Sequence, residues 1–477
     1  MPAEIIKMNK AKHSSPWWWV PTLYFAEGVP YFLVNNISVM LFAKMGVPND
    51  QLAFFTTLLY FPWFLKGLWS PLVDVVKTKR WWIVAMQLLM AVLCVLLTLS
   101  LPHPDASMMA AKGTPVSMFW LTLVLFIITA FASATHDIAA DGYYMIAHDS
   151  GSQARFIGIR STFYRIAMVF GQGVLVFIAG RFEKSTGDIP LSWQLTLGIT
   201  AIILFAVTIY HIFALPRVER AIGKESGRSP KVGSQKSKGA CEHSDKSQEL
   251  SIGEAFKTFF TKKGVVLAIC FMLLYRMAEG LLVKLSLPFL VDSREVIERE
   301  GQLIGGGLGL DTDVVGFIYG TIGVLFLLLG GILGGIYISR RGLKRSIWLM
   351  AASLTLPNLV YVYLSGVQPT NLWLIGSAIS FEQFGYGFGF TAYMMYMMYF
   401  AQSKVGDRDV NYSTSHYAIC TAFMALSMML PGFVAGKIEM SVGYYWFFWI
   451  AVLCSVTTFA VTYFVHRQID SEYGCNK

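Results

Sequence analysis

Residues 81–101 read WWIVAMQLLMAVLCVLLTLSL, a run without a single charged side chain. At about 1.5 Å of rise per residue, a helix of this length crosses the roughly 30 Å hydrocarbon core of a bilayer. Similar runs recur along the 477-residue chain, in which 55% of the residues are hydrophobic and 14% are charged. Soluble domains carry about 25% charged residues. This composition excludes a soluble enzyme and predicts an all-α integral membrane protein.

Twelve apolar runs are separated by charged or turn-rich segments, and each predicts one transmembrane helix. The predicted spans are 17–43, 51–75, 81–101, 118–147, 155–180, 193–215, 264–292, 314–338, 346–365, 372–402, 408–436 and 442–466. Lys and Arg concentrate at the termini and in the even-numbered connections, so we expect both termini in the cytoplasm. The same distribution explains the formal net charge of +9 without a nucleic-acid partner.

The segment 216–263 divides the predicted spans into two groups of six. Its centre reads GRSPKVGSQKSKG, which cannot bury a core and is typical of a linker. The predicted organisation is a cytoplasmic tail 1–16, a half 17–215, the cytoplasmic linker 216–263, a second half 264–466 and a cytoplasmic tail 467–477. Ala-Glu-Gly occurs at matching places in both halves, at Glu27 and at Glu279. Two parallel six-helix repeats joined by such a linker are the architecture of major facilitator transporters.

Charged side chains inside spans indicate a structural or functional role, because inserting one at the bilayer centre costs about 2.5–3.5 kcal/mol of free energy. Asp137 and Asp141 lie one turn apart in span 4, and Arg160 and Arg165 lie at similar depths in span 5. The sequence therefore predicts two buried pairs, Asp137 with Arg165 and Asp141 with Arg160. Two interpretations stay open. The pairs hold the first half together, or one pair breaks and reforms as a conformational latch.

A polar stripe in span 1 begins at Glu27 and continues with Tyr31 and Asn35 at i+4 and i+8. Such a face is not expected to contact lipid, so it either lines a substrate cavity or makes polar contacts inside the bundle.

The second half adds polar groups from spans 7 and 10. Arg276 and Glu279 either neutralise each other at i,i+3 or face the cavity, and Pro288 favours a broken helix in this span. Glu382 opens the segment EQFGYGFGF, whose aromatic rings and hydrogen-bonding groups suit sugar rings. The predicted substrate-cavity residues are Tyr31, Asn35, Arg276, Gln383, Tyr386 and Tyr393.

Three carboxylates near the membrane midplane compete as the carrier of a coupled proton, namely Glu382, Glu27 and Glu279. Glu279 has Arg276 one turn away and is expected to be a fixed anion, so Glu382 is the first candidate and Glu27 the second. His136 lies beside Asp137, but no Cys or Glu completes a ligand set on that helix. No metal site, no cofactor and no enzymatic activity are therefore expected.

Residues 54–74 read FFTTLLYFPWFLKGLWSPLVD, and this stretch resembles the AmpG-type muropeptide permeases and their acetyl-CoA transporter relatives. The resemblance is carried by a Lys-x-x-Trp-Ser-Pro-x-x-Asp signature that begins at Lys66 and ends at Asp74. An Asp-Ile-x-x-Asp pattern that begins at Asp137 extends it, as does the acidic, glycine-rich segment after Glu382. Asp74 matches the acidic position of the superfamily's signature loop, and with Arg80 it is the predicted gating loop.

The resemblance implies proton-coupled import of an amino-sugar-containing solute, such as an anhydro-muropeptide, across a bacterial inner membrane by alternating access. The expected partners are this solute, protons and the lipid bilayer. Two alternatives stay open: a symporter of a simple sugar or disaccharide, and a membrane sensor that binds wall fragments without moving them. Residues 293–313 are predicted to form an acidic, glycine-rich external loop.

Overall fold

The computed structural model of the protein describes residues 15–147, 150–217, 252–299, 301–403, 413–471 and 473–474. Most of the predicted linker and both extreme termini lie outside these residues. Within them the chain is almost entirely helical, as predicted. The spans of the first half are Pro16–Lys44, Asn49–Leu58 with Phe61–Val75, Lys79–Ser100, Val116–Ala147, Ser150–Val169 continued by Val176–Thr186, and Ile189–Ala214.

The second half is preceded by a short helix, Ile252–Phe260. Its spans are Val265–Leu274 with Met277–Val291, Thr312–Arg341, Leu343–Val367, Leu372–Gln402, and a final stretch formed by Ser413–Cys454 and Val456–His466. The final stretch leaves helical geometry at Gly443, where φ is 74° and ψ is 166°, so it holds spans 11 and 12.

The described helices account for the twelve predicted spans. Ten segments are long and apolar enough to cross a membrane, and the last of them, His416–His466, contains two spans. The twelfth is span 10, whose 31 residues are long enough but are diluted by glycine, tyrosine and Glu382. Most boundaries lie within a few residues of the predicted ones. The differences arise because several helices continue beyond their apolar run into polar residues at the interface.

The two halves contact each other through spans 2 and 11 and through spans 5 and 8. Span 2 of the first repeat corresponds to span 8 of the second, and span 5 corresponds to span 11. The two contacts are therefore equivalent, as expected for two parallel repeats. Glycine permits both approaches. A Cβ at Gly320 would lie 1.9 Å from the carbonyl oxygen of Gln172, and one at Gly436 would lie 2.0 Å from that of Asn49. Any larger residue would force the halves apart at these points.

The odd-numbered connections lie at one end of the bundle, which we call the outer end, opposite to the end where span 6 stops at Ala214 and the short helix Ile252–Phe260 lies. In the described part of the chain, nearly all hydrogen bonds and ion pairs between the halves occur there. Lys112 Nζ lies 2.5 Å from Asp292 Oδ2, and Lys184 Nζ lies 2.8 Å from Asp313 Oδ2. The outer end is therefore closed in this structure.

The predicted external loop 293–313 contains a β-hairpin that the sequence analysis did not predict. Strands β1, Val296–Arg299, and β2, Gln302–Gly305, pair antiparallel. The hairpin covers a cavity of about 840 Å³ at the outer end, whose walls include Lys44, Lys112 and Asp292.

Candidate functional site

Two ion pairs cross the interior of the first half. Lys66 Nζ in span 2 lies 2.5 Å from Asp137 Oδ2 in span 4, and Arg160 Nη2 in span 5 lies 2.5 Å from Asp141 Oδ1. The guanidinium of Arg160 also lies 4.4 Å from the centre of the Tyr24 ring, which gives it a cation–π contact. Spans 1, 2, 4 and 5 thus meet at one group of charges.

The expected pair between Asp137 and Arg165 is wrong, because Asp137 pairs with Lys66. Among the described residues, Arg165 forms no ion pair. Helix geometry supplies the reason. Asp137 and Asp141 are four residues apart and share one face of span 4, whereas Arg160 and Arg165 are five residues apart and point about 140° away from each other. Only one of the two arginines can face the aspartates, and it is Arg160.

Glu27 completes the group in the first half. Oxygen atoms of Glu27, Asp137 and Asp141 all lie within 4.8 Å of one another. Glu27 is 6% exposed, and its Oε2 has no hydrogen-bond partner among the described residues. The group therefore holds three carboxylates and two cations, Lys66 and Arg160, and Glu27 is the carboxylate without a cation of its own.

The polar stripe of span 1 is only partly directed at a cavity. Tyr31 is half-buried and packs edge-on against Trp63 at a ring-centre distance of 5.0 Å. Asn35 is buried in a π-helical turn, Leu33–Ile37, and its amide donates to the Tyr31 carbonyl at 3.0 Å. The Oδ1 atom of Asn35 has no partner in the described residues and remains available as an acceptor.

Span 7 is broken, but the break does not lie at Pro288. One segment ends at Leu274 and the next begins at Met277, and the second continues through Pro288 to Val291. Hydroxyls from span 12 satisfy the carbonyls at the break. Thr458 Oγ1 donates to the Tyr275 carbonyl at 2.9 Å, and Thr457 Oγ1 donates to the Leu274 carbonyl at 3.0 Å. The break presents Arg276 at the start of the second segment.

Arg276 makes its direct contacts with span 10 and forms no direct ion pair with Glu279 in the described structure. Its Nη2 donates to the Tyr386 hydroxyl at 2.5 Å, and its guanidinium lies 4.6 Å from the centre of the Phe390 ring. Glu279 is 5% exposed, and its Oε2 has no partner in the part of the chain that is described. The cation expected beside Glu279 is therefore held by aromatic groups of span 10 and does not contact the Glu279 carboxylate directly.

Span 10 divides its predicted residues between the cavity and the packing of the bundle. Glu382 is 3% exposed and accepts from Gln383 Nε2 at 2.9 Å. Tyr386 reaches Arg276, as described above. Tyr393 is fully buried, and its hydroxyl donates to the Met272 carbonyl at 2.7 Å. Tyr393 therefore fastens span 10 to span 7 and offers its hydroxyl to the protein instead of to a cavity.

One charged residue in span 7 is absent from the predicted set. Lys284 is 1% exposed, and its nearest polar partner is Thr56 Oγ1 of span 2, at 3.4 Å. The criterion that selected the other charges, a costly charge inside an apolar run, applies to it equally. A further polar contact that the sequence did not indicate also involves span 7. The Tyr319 hydroxyl of span 8 lies 3.5 Å from Ser286 Oγ of span 7.

The predicted gating loop is only half described. The side chain of Asp74 lies outside the described part of the structure. Arg80 Nε donates to the Leu215 carbonyl at 3.0 Å, and its Nη2 donates to the Ile212 carbonyl. A cation at the carboxyl end of span 6 satisfies carbonyls that the helix leaves free. Arg80 thus fastens the connection between spans 2 and 3 to the end of span 6.

His136 belongs to a buried chain of hydrogen bonds. Its Nε2 lies 2.9 Å from Gln87 Nε2, and the Gln87 Oε1 lies 2.9 Å from His211 Nδ1. This buried chain continues from His211 to Thr22 in span 1. It links spans 3, 4, 6 and 1 in the first half.

Known proteins similar to this chain are transporters. A 23% identical relative from Rickettsia conorii, named AmpG 4, matches over 94% of this chain and 96% of its own length. The anhydromuropeptide permease of Escherichia coli is 24% identical over 91% of this chain and 76% of its own length. These similarities confirm the resemblance to AmpG-type proteins.

Solved structures share the fold. A bacterial homolog of the human lysosomal transporter Spinster superposes with a TM-score of 0.65 at 13% identity, covering 96% of this chain and 98% of that one. A D-xylose–proton symporter superposes with a TM-score of 0.60 at 13% identity, covering 96% and 98%. The sequence model of the Major Facilitator Superfamily matches residues 22–415. The chain therefore belongs to the Major Facilitator Superfamily, and it is a membrane transporter and not an enzyme.

Proposed function

We propose that the protein is a proton-coupled symporter of an amino-sugar-containing solute, such as an anhydro-muropeptide, and that it works by alternating access across a bacterial inner membrane. The concentration of basic residues at the termini and in the linker supports cytoplasmic placement of both. The similarity to the E. coli anhydromuropeptide permease supports the choice of solute class. The simple-sugar symporter and the non-transporting sensor are the outcomes against which the proposal is tested.

The observation that carries proton coupling is the charge balance of the first half. Glu27, Asp137 and Asp141 bring three negative charges, while Lys66 and Arg160 bring two positive ones. One proton makes the group neutral, and Glu27 is the carboxylate that has no cation of its own. A group in the membrane interior is least costly when it is neutral. Glu27 thus becomes the first candidate for the coupled proton, and Glu382 the second.

The solute is proposed to lie between this group and the aromatic groups of the second half. Arg276 and Tyr386 form a hydrogen-bonded pair beside Phe390, and Gln383 and Glu382 lie on the same helix. Aromatic faces stack on the C–H faces of sugar rings, while the amide and hydroxyl groups bind sugar hydroxyls. Tyr31 and Asn35 complete the proposed cavity from the first half.

Counterflow into proteoliposomes tests this function. Purified protein is reconstituted into vesicles loaded with unlabelled anhydro-muropeptide, N-acetylglucosamine or a disaccharide, and entry of the same compound in labelled form is measured for each. We expect exchange of the anhydro-muropeptide. Exchange of the plain sugars alone supports the simple-sugar symporter, and binding without exchange supports the sensor.

Glu27→Gln tests the coupling in the same vesicles. We expect this variant to exchange solute at equal concentrations but to lose accumulation driven by an inward proton gradient. Glu298→Gln, on the exposed strand β1, is the matched control and is expected to accumulate solute normally. If Glu27→Gln still accumulates solute and Glu382→Gln does not, the proton site is Glu382.

A further inference from the structure

Lys284 places a buried amino group in the contact between the halves, and among the described residues it has no counter-ion. It lies in span 7 of the second half and faces span 2 of the first half. Its Nζ donates to Thr56 Oγ1 at 3.4 Å and lies 4.5 Å from the centre of the Tyr60 ring. Within the described residues, no carboxylate oxygen lies within 4.0 Å of it, whereas Lys66 and Lys112 each have one at 2.5 Å.

These two contacts do not replace a counter-ion. A hydrogen bond of 3.4 Å is long, and a hydroxyl and an aromatic face offer only partial negative charge. A buried ammonium without an anion is costly, and an apolar side chain of similar volume would avoid that cost. The charged form of Lys284 is therefore favoured when a negative group that the described protein does not supply lies beside it.

The position of Lys284 connects it to the opening of the molecule. Tyr60 lies in the break of span 2 between Leu58 and Phe61, and Thr56 lies just before this break, at the contact between the halves. Lys284 also lies eight residues beyond Arg276 toward the outer end, about 12 Å along the helix. When the halves separate at the outer end, Lys284 loses Thr56 and Tyr60 and faces the space through which a solute enters.

We propose that Lys284 binds a carboxylate of the entering solute when the outer end is open. On closure, the two halves bring Thr56 and Tyr60 back against Lys284 and leave no room for that carboxylate, which promotes release of the solute toward the opposite side. The assignment rests on the proposed alternating access and narrows the solute class to anionic amino-sugar derivatives. Lys284 is in this view a specificity residue.

Two sugars that differ in one carboxylate test the assignment. N-acetylmuramic acid carries a lactyl carboxylate that N-acetylglucosamine lacks, and both are measured as competitors of labelled solute in counterflow. For Lys284→Gln we expect about a ten-fold or greater loss of apparent affinity for the acid and little change for the neutral sugar. Lys284→Arg should retain much of the preference. The exposed Lys437→Gln is the matched control and should behave as the unchanged protein does.

A second measurement separates this inference from the proposed function. In the empty, detergent-purified protein, Lys284→Gln should raise Tm, because it removes a buried amino group whose charged form has no counter-ion, and Lys437→Gln should leave Tm unchanged. A lower Tm for Lys284→Gln would show that the lysine is a structural contact and would overturn the assignment. Equal losses of affinity for both sugars would overturn it as well. If the unchanged protein exchanges neither sugar, the proposed solute is wrong, and Tm alone decides whether Lys284 is an unsatisfied cation.

Discussion

At the scale of single residues, the ion pair Lys66–Asp137 is the contact that substitutions test most directly. Asp137→Asn leaves Lys66 without its counter-ion, and we expect a loss of about 1–3 kcal/mol in the free energy of unfolding. The Lys66→Met, Asp137→Asn double variant removes both charges and should recover part of that loss. The measurement is chemical unfolding in detergent.

Arg165→Gln is the control for this pair. Because Arg165 forms no ion pair among the described residues, its replacement should cost clearly less than Asp137→Asn. A double-variant stability equal to that of the less stable single variant would mean that the two residues act separately.

The same residues show what the sequence could and could not decide. The Arg160–Arg165 spacing already excludes that both face Asp137 and Asp141, but only the packing of spans 4 and 5 shows that Arg160 is the one that does. The partner of Asp137 could not be chosen from the sequence either, because Lys66 lies on a helix 71 residues earlier and only the packing of spans 2 and 4 brings it near. Local patterns fix which face of a helix is polar, and the tertiary arrangement decides what that face meets.

At the scale of elements, the break in span 7 is the feature that positions Arg276. The side chain of Thr458 satisfies the Tyr275 carbonyl at this break. Thr458→Val leaves that buried carbonyl without a partner, and we expect a cost of about 1–3 kcal/mol in the free energy of unfolding together with weakened solute exchange.

Thr462→Val is the matched control for Thr458→Val. Thr462 is equally buried, but its hydroxyl donates to the Thr458 carbonyl within its own helix, so its replacement should cost less and leave exchange intact. Equal effects of the two substitutions in unfolding and counterflow assays would show that the break does not depend on Thr458.

The number and order of the spans follow from the sequence, whereas their interruptions do not. The twelve apolar runs predict the twelve helices, because in lipid each spanning segment must form its backbone hydrogen bonds within itself, which a helix does. Pro288 looked like the natural break in span 7, yet the helix continues past it, and the break lies where two threonines about 180 residues later supply hydroxyls. The hairpin of β1 and β2 was missed for a related reason, since two four-residue strands carry little periodicity.

At the scale of the whole molecule, a buried polar cluster joins the halves at the outer end. Asn49 and Lys112 of the first half meet Asp292, Glu439 and Tyr444 of the second. Lys112 Nζ donates to Asn49 Oδ1 at 2.7 Å and lies 2.5 Å from Asp292 Oδ2. Asn49 Nδ2 donates to Glu439 Oε2 at 2.8 Å, and the Tyr444 hydroxyl donates to Asp292 Oδ2 at 2.7 Å.

Burial decides which of the contacts between the halves keeps the outer end closed. The side chains of Lys112 and Asp292 are 10% and 2% exposed, whereas those of Lys184 and Asp311 are 43% and 64% exposed. Exposed ion pairs contribute about 0–1 kcal/mol, while breaking a buried pair leaves a charge that only opening to water can solvate.

Asp292→Asn should therefore shift the protein toward an open outer end, and Asp311→Asn should shift it little. Spin labels at Ser107→Cys and Glu298→Cys, on exposed sites of opposite halves in a background without other cysteines, report this opening as a longer interlabel distance. Equal distance distributions for the two variants would show that the cluster around Asp292 does not hold the outer end closed.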